Sequence, residues 1–169
     1  MNEGISVRSV SRAAALAAAE VALSRFLSVN TFNMKIGFGF VPIVLCAVML
    51  GPVWAAAVYA LSDFLGAVLF PIGPYFPGFT LTAALSGLAF GFFLYRREVR
   101  IFPHVIGAVF TSCVVLGLGL NTLWIALLYE KAIWAIIPGR LLQCVILISA
   151  QTALIPLICR VSERLKGAA

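Results

Sequence analysis

The chain contains 169 residues, of which 63% are hydrophobic and 11% are charged, and its mean hydropathy is +1.09. Soluble domains carry about 25% charged and about 45–50% apolar residues. The composition therefore excludes a soluble enzyme, a nucleic-acid-binding module and a disordered tail, despite a net charge of +6. We predict an integral membrane protein, whose length allows about five to seven spans at about 20 residues per transmembrane helix.

Charged and turn-forming residues divide the chain into six predicted transmembrane helices of a single all-α domain, residues 1–169. The polar segment 28–35 ends the first helix, and a tight turn at Gly51-Pro52 separates the second from the third. The proline-rich loop 71–78 precedes the fourth helix, and the basic segment 96–100 precedes the fifth. The apolar residues 124–128 favour an extension of the fifth helix. The predicted helices span residues 7–26, 37–50, 53–70, 79–95, 103–120 and 138–161.

The distribution of lysine and arginine predicts the orientation of these helices. With six spans both termini share one side of the membrane, together with the loop between the fourth and fifth helices. That side collects Arg8, Arg12, Arg96, Arg97, Arg100, Arg160, Arg164 and Lys166, whereas the opposite side has Lys35 and Lys131. By the positive-inside rule both termini are predicted to be cytoplasmic. The positive charge is thus explained by topology, without a nucleic-acid partner.

Three charged residues remain unexplained by topology. Arg25 lies near the outer end of the first helix, Arg140 near the outer start of the sixth, and Asp63 inside the third. Ionisable groups inside membranes are costly and usually face a cavity or a partner. Asp63 could form a structural pair with an arginine, and Arg25 could extend to the lipid headgroups. Because all three belong to the same half of the membrane, we predict a polar cavity that opens to the outside.

Aromatic residues and prolines concentrate on the same side. The loop before the fourth helix has three prolines after position 70, which reduce the entropy lost when a loop orders around a ligand. Its aromatic rings suit a lid over a flat ligand, although aromatic residues at a membrane interface also serve as anchors. The aromatic candidates for ligand binding in this region are Phe38, Tyr75, Phe76 and Trp124.

Alanines cover most faces of the inner half of the first helix. Small residues four positions apart allow helix backbones to approach closely. The predicted contact residues are Ala13, Ala14, Ala17, Ala18 and Ala22. Such a stripe can close the protein's own bundle or can bind another membrane protein, and the sequence leaves both alternatives open. It also leaves open whether Glu20, in the middle of this helix, bonds inside the bundle or supports the contact.

The sequence lacks the motifs of an energised or catalytic protein. It has no phosphate-binding G-x-x-x-x-G-K-[ST] motif and neither of the hydrolase motifs G-x-S-x-G and H-E-x-x-H. It has a single histidine, so we expect neither an enzyme nor a metal site. The four cysteines lie in apolar runs and are expected to be buried and unpaired: Cys46, Cys113, Cys144 and Cys159.

Several segments carry a resemblance to a known family. They are Leu-Ser-Arg-Phe-Leu-Ser-Val at 23–29, Lys-Ile-Gly-Phe-Gly-Phe-Val-Pro at 35–42, Gly-Pro at 51–52, Asp-Phe-Leu-Gly at 63–66 and, most specifically, Pro-Tyr-Phe-Pro-Gly-Phe-Thr at 74–80. From about residue 13 to residue 160 the chain resembles the folate-specific substrate-binding S components of energy-coupling factor (ECF) transporters.

The resemblance implies a six-helix S-component fold with a ligand pocket in its outer half. It also implies partners, namely a transmembrane scaffold subunit (EcfT) that contacts the alanine motif and two cytoplasmic ATPases. The ATPases would use the ATP, and the chain itself would need no cofactor. Arg25 and Arg140 match basic family positions near the pocket. The family's loop is matched by Tyr75, Phe76, Pro77 and Gly78, which are therefore further candidates for ligand binding. The implied location is the cell membrane, which the chain would cross several times.

The chemistry of folate fits these residues. Asp63 can accept hydrogen bonds from the pterin, and an arginine can bind a glutamyl carboxylate in a bidentate manner. Thr80 and Asn121 are candidates for further hydrogen bonds, and Phe38 and Trp124 for apolar walls. Two alternatives remain open at this point. One is an S component for biotin, riboflavin or thiamin, and the other is a membrane scaffold protein without a transport function.

Overall fold

The computed structural model describes residues 6–31, 34–71, 74–95, 101–129 and 133–167. In these ranges the regular structure is helical apart from one short hairpin, with short connecting segments between the elements. The helices are α1 (Val7–Phe26), α2 (Phe40–Leu50), α3 (Pro52–Leu69), α4 (Pro77–Leu94), α5 (Ile101–Phe110), α6 (Asn121–Tyr129) and α7 (Ile133–Gly167), and a π-helical segment (Thr111–Leu120) joins α5 to α6. Because α5, the π-helical segment and α6 follow one another without a break, they form one long helical rod.

The polar segment after α1 forms an antiparallel β-hairpin that the sequence analysis did not predict. Strand β1 (Ser28–Thr31) pairs with β2 (Met34–Gly37), and Ser28 lies opposite Gly37. A Cβ on Gly37 would lie 2.6 Å from the Cβ of Ser28, so only glycine allows the strands to close here. The prediction that the second helix begins at residue 37 is therefore wrong, because residues 34–37 are held in strand pairing and α2 begins at Phe40.

Glycines set the close packing of α2, α3 and α4. Gly51 has a φ of +97°, which places the sharp turn between α2 and α3 directly before Pro52. A Cβ on Gly87 would lie 2.5 Å from the carbonyl oxygen of Ala55, and a Cβ on Gly91 would overlap Pro52. Helices α3 and α4 thus pack backbone to backbone. This contact joins the start of α3 to the end of α4. The end of α3 and the start of α4 therefore lie together at the opposite end of the bundle.

The last two predicted helices are longer than expected. The apolar residues 124–128 do belong to the helical rod, which continues to Tyr129 instead of ending at residue 120. Helix α7 begins at Ile133 and contains Pro138 and Pro156 in its interior, although Pro138 was predicted to start it. Inside a membrane protein, neighbouring helices and local adjustments can satisfy the backbone groups that a proline leaves unpaired.

Four of the helical segments are long and apolar enough to cross a membrane: Pro52–Leu69, Pro77–Leu94, Phe102–Tyr129 and Ile136–Ser162. Helix α2 is apolar but has only 11 residues, and α1 carries four charged side chains. The chain is therefore described as a multi-pass membrane protein. Its core is centred on α2, where Ile43, Val44 and Cys46 are fully buried. All four cysteines are buried and none of them forms a disulfide, as predicted.

Successive helices alternate in direction, so the predicted site residues meet at one end of the bundle. We call this the hairpin end, because α1 leads there into the β1–β2 hairpin. Part of the predicted orientation signal, namely residues 96–100 and Lys131, lies outside the described residues, as do residues 72 and 73 of the proline-rich loop.

Candidate functional site

A chain of hydroxyl groups leads to Asp63 at the hairpin end. Thr80, in the first turn of α4, donates a 2.8 Å hydrogen bond to Oδ2 of Asp63 on α3. The phenol of Tyr75 lies 3.1 Å from the same threonine hydroxyl. The ring of Tyr75 also packs edge-on against Phe64, with centroids 5.7 Å apart. The structure thus brings three predicted site residues together and ties the loop before α4 to the carboxylate.

An aromatic cluster lies at the start of α4. The rings of Phe76 and Trp124 are 5.5 Å apart, and Phe79 packs edge-on against Phe76 at 6.0 Å. Gly78 lies beneath these rings, since a Cβ there would be 2.5 Å from Phe76 and 2.7 Å from Trp124. The indole Nε1 donates to the hydroxyl of Thr82 at 3.0 Å. This hydrogen bond fixes the Trp124 ring and joins α6 to α4.

Arg140 is the most deeply buried of the predicted cations, at 6% exposure. Its guanidinium donates to the hydroxyl of Thr122 at 3.4 Å, to Oε1 of Gln143 at 2.7 Å and to the carbonyl oxygen of Gly117 in the π-helical segment. These acceptors come from the rod and from α7 itself. They hold a positive charge between the two elements. Oδ1 of Asn121, the residue before Thr122, is buried without a hydrogen-bond partner.

The side chain of Arg25 packs against α3 at Gly66. A Cβ on Gly66 would lie 2.6 Å from Nε of Arg25, so the side chain crosses α3 one turn beyond Asp63. This Nε is buried without a hydrogen-bond partner. The hydrogen bond of Asp63 goes to Thr80 and not to an arginine, so the described contacts do not form the structural ion pair considered above. Glu20, only 3% exposed, adds a further carboxylate within electrostatic range of both Arg25 and Asp63.

Helix α6 contacts both Arg140 and the aromatic cluster. Its Thr122 contacts Arg140 and its Trp124 contacts Thr82, so the arginine on one side and the aromatic cluster on the other share one element. A cavity of about 310 Å³ is lined in part by Thr122, which contacts Arg140. Its lining is almost wholly apolar and consists of Leu118, Gly119, Thr122, Leu123 and Ile137. Such a size falls at the lower end of the range for small-molecule sites, roughly 300–1,000 Å³.

Two of the predicted residues lie apart from this arrangement. Phe38 is half exposed at the turn before α2, and its described bond is a backbone one to Val41. Pro77 is the first residue of α4, where its missing N–H costs no helical hydrogen bond. The sequence analysis in turn missed Thr82, Thr122 and Gln143. The signal available for them was a polar side chain inside an otherwise apolar helix.

The alanine stripe of α1 divides into two faces. Ala13 and Ala17 are buried inside the bundle, and Ser62 of α3 donates to the carbonyl oxygen of Ala17 at 3.3 Å. Ala14, Ala18 and Ala22 are exposed. Small residues therefore serve internal packing on one face and leave a smooth outer surface on the other, and contact with a partner stays a prediction for that outer face.

Comparison with known proteins gives consistent results. A family model described as "ECF-type riboflavin transporter, S component" matches residues 4–160. The folate transporter FolT of Clostridium novyi (strain NT) is 40% identical over 124 residues, which are 73% of this chain and 72% of that protein. The folate transporter FolT of Leuconostoc mesenteroides subsp. mesenteroides is 33% identical over 119 residues, or 70% of this chain and 64% of that protein.

A solved structure has the same fold. It is described as "Crystal structure of FolT bound with folic acid". It superposes with a TM-score of 0.86 at 34% sequence identity, over 92% of this chain and 94% of that chain. The similarity thus covers both the fold and the segments that carry the site.

Proposed function

Because this chain belongs to the S components of ECF-type transporters, we propose that it is the folate-binding membrane subunit of a vitamin uptake transporter. The observation that carries this proposal is its similarity to a folic-acid-bound structure, at 34% identity and a TM-score of 0.86. At this identity and coverage the likeness extends beyond the general S-component fold. Both curated relatives are folate transporters as well.

The geometry of the hairpin end suits a ligand with a flat ring at one end and carboxylates at the other. Folate joins a pterin to a p-aminobenzoyl ring and a glutamate. Thr80 binds Oδ2 of Asp63, so the other carboxylate oxygen is oriented to accept from the N–H groups of a pterin. The rings of Phe76 and Trp124 provide an aromatic surface for stacking. The buried guanidinium of Arg140 and the unpartnered Nε of Arg25 provide cations for the carboxylates.

The partners follow from the family. We propose that a scaffold subunit of the EcfT type binds the exposed alanines of α1, and that two ATPase subunits bound to it consume the ATP. The chain then captures and delivers the vitamin without catalysing a reaction and without a cofactor of its own. In this arrangement α1 and α2 complete a six-helix membrane domain in the plasma membrane, with both termini cytoplasmic. The excess of arginine on the side of the termini supports this orientation.

Riboflavin is the second candidate ligand, because the matching family model carries its name. Riboflavin is also flat and would stack on the same aromatic rings. It has no carboxylate, however, whereas a guanidinium can bind each carboxylate of folate in a bidentate manner. Folate is therefore the better match to the charges of the site.

The decisive experiment is a titration of the purified full-length protein in detergent with folate, riboflavin, thiamin and biotin. We expect saturable folate binding and none of comparable strength for the other three vitamins. Binding of riboflavin in preference to folate would transfer the assignment to the second candidate. Binding of no vitamin at all would refute both and favour a scaffold function.

A further inference from the structure

The β1–β2 hairpin is hydrogen-bonded to α7 by one side chain. Nε2 of Gln143 donates to the backbone carbonyl oxygen of Lys35 on β2, at 2.7 Å, across 108 positions of sequence. A two-stranded hairpin leaves its outward-facing carbonyl groups without a strand partner. Gln143 thus supplies a donor to one of these groups and holds the edge of β2 against α7.

The same amide binds the buried arginine of the site. Oε1 of Gln143 accepts from the guanidinium of Arg140 at 2.7 Å. An amide has distinct donor and acceptor ends. With its oxygen held by Arg140, its NH₂ group is directed towards Lys35. The orientation of one contact is therefore set by the other.

The two stems of the hairpin are fixed independently of α7. Ser28, at the start of β1, donates to the carbonyl oxygen of Ser24 in the last turn of α1, at 2.7 Å. Gly39, after β2, lies over Glu20 of α1, since a Cβ there would be 3.0 Å from Oε1. Movement of the hairpin is thus limited at its base, and the bond from Gln143 restrains the middle of β2.

We propose that Gln143 is a positioning residue that couples the β1–β2 hairpin to Arg140. Arg140 orients the amide, and the amide holds β2 against α7. The position of the hairpin then depends on Arg140, so a ligand that binds this guanidinium also stabilises the hairpin above the site. The dependence on ligand rests on the proposed function, whereas the coupling between Arg140, Gln143 and β2 does not.

Hydrogen–deuterium exchange of the ligand-free full-length protein tests the coupling. Gln143→Met removes both ends of the amide at similar size, and Gln143→Glu keeps an acceptor for Arg140 but has no donor for Lys35. Because one hydrogen bond contributes about 1 kcal/mol, we expect the amides of the two strands, residues 28–31 and 34–37, to exchange about fivefold faster in both variants. Amides of α4 should exchange as in the wild type. Ser149→Ala on the same helix, whose hydroxyl bonds only to its own helix backbone among the described contacts, is the control.

The Arg140→Ala variant and the double variant with Gln143→Met test whether the two residues act as a unit. We expect Arg140→Ala to accelerate hairpin exchange, and the double variant to add little to either single change. Unchanged hairpin exchange in both Gln143 variants would overturn the proposal. Equal acceleration in the hairpin and in α4 would also overturn it, because that result indicates a general loss of stability.

The dependence of the hairpin on ligand is tested with folate. In the wild type, saturating folate should slow hairpin exchange, and in Gln143→Met this slowing should be lost while folate dissociates about tenfold faster. A dissociation rate equal to that of the wild type, with hairpin slowing intact, would overturn the proposal. Absence of folate binding to the wild-type protein would instead refute the proposed function, and the ligand-free comparison would still decide the coupling.

Discussion

Thr80 and Asp63 join α4 to α3 through a 2.8 Å hydrogen bond at the hairpin end of the bundle. The bond places a carboxylate, which is costly inside a membrane, next to a hydroxyl donor that is fixed on the first turn of a neighbouring helix. Since Tyr75 contacts the same hydroxyl, this pair also anchors the loop before α4. Binding chemistry and loop position are therefore linked at one threonine.

The first prediction concerns this threonine. Thr80→Val keeps the shape of the side chain but removes the donor to Asp63 and the contact with Tyr75. We expect the Kd for folate to rise about tenfold, which corresponds to about 1.4 kcal/mol, near the value of one hydrogen bond to a charged group. Tyr75→Phe removes only the outer contact and should raise Kd less. Thr80→Ser should restore most of the affinity, and wild-type affinity in Thr80→Val would show that the loop is positioned by other contacts.

The second prediction concerns Gly78. Its missing Cβ would lie 2.5 Å from the ring of Phe76, so Gly78→Ala must displace Phe76 or Trp124. We expect folate affinity to fall more than tenfold, with a change in tryptophan fluorescence of the ligand-free protein. Leu88→Ala, at a partly exposed position of the same helix, serves as the control and should bind folate normally. Unaltered affinity in Gly78→Ala would mean that the aromatic cluster does not contact the ligand.

The third prediction concerns the arginines. Arg140→Ala leaves the acceptors on Thr122, Gln143 and Gly117 without their donor, and it removes a buried charge from the site. We expect more than a tenfold loss of folate affinity, with partial recovery at most in Arg140→Lys, because an ammonium group lacks the planar fork of a guanidinium.

Arg25→Ala should also weaken folate binding more than tenfold. Isothermal titration with the exposed Arg160→Ala as control would check this, and full affinity in both variants would identify the arginines as interfacial anchors.

The fourth prediction separates the two faces of α1. Ala18 is exposed, whereas Ala17 is 8% exposed and contacts α3. Ala18→Trp should abolish folate uptake by cells that contain the complete transporter. The folate affinity of the isolated protein should be unchanged. We expect the same two results for Ala14→Trp. Ala17→Trp should reduce both, because the indole has no space between α1 and α3. Normal uptake by the Ala18 variant would exclude this face as the contact with the scaffold.

The sequence predicted that several site residues would lie near one end of the bundle, because its charges and turn residues marked the order of the helices. Asp63, Thr80, Trp124 and Arg140 each lie near the same end of an alternating bundle, as a count of spans predicts. It did not predict their partners. Asp63 was a candidate to pair with an arginine, but it accepts a hydrogen bond from Thr80, and Arg140 donates to Thr122. Partner choice depends on the rotation of each helix about its axis, which is set by packing and not by the local sequence.

The boundaries of the helices and strands were likewise predicted in part and decided in part by tertiary contacts. Val7 and Phe26 bound the first helix as predicted, since charges and a polar segment mark its ends. The hairpin that follows was not foreseen, because its stability depends on Gly37 packing against Ser28 and on a hydrogen bond from a helix 108 positions away. Contacts of that kind are not encoded in local periodicity.

Composition by itself indicated a membrane protein. The few charges that topology left unexplained predicted a polar site, because the cost of burying a charge in lipid makes each such residue informative. The resemblance in the segments around Gly51 and Pro74 indicated the family. Tertiary structure alone decided which alanines of α1 face outward, which donor holds Asp63, and how the hairpin is attached to Arg140. These features depend on distances between helices, and those distances follow from side-chain packing across the whole bundle.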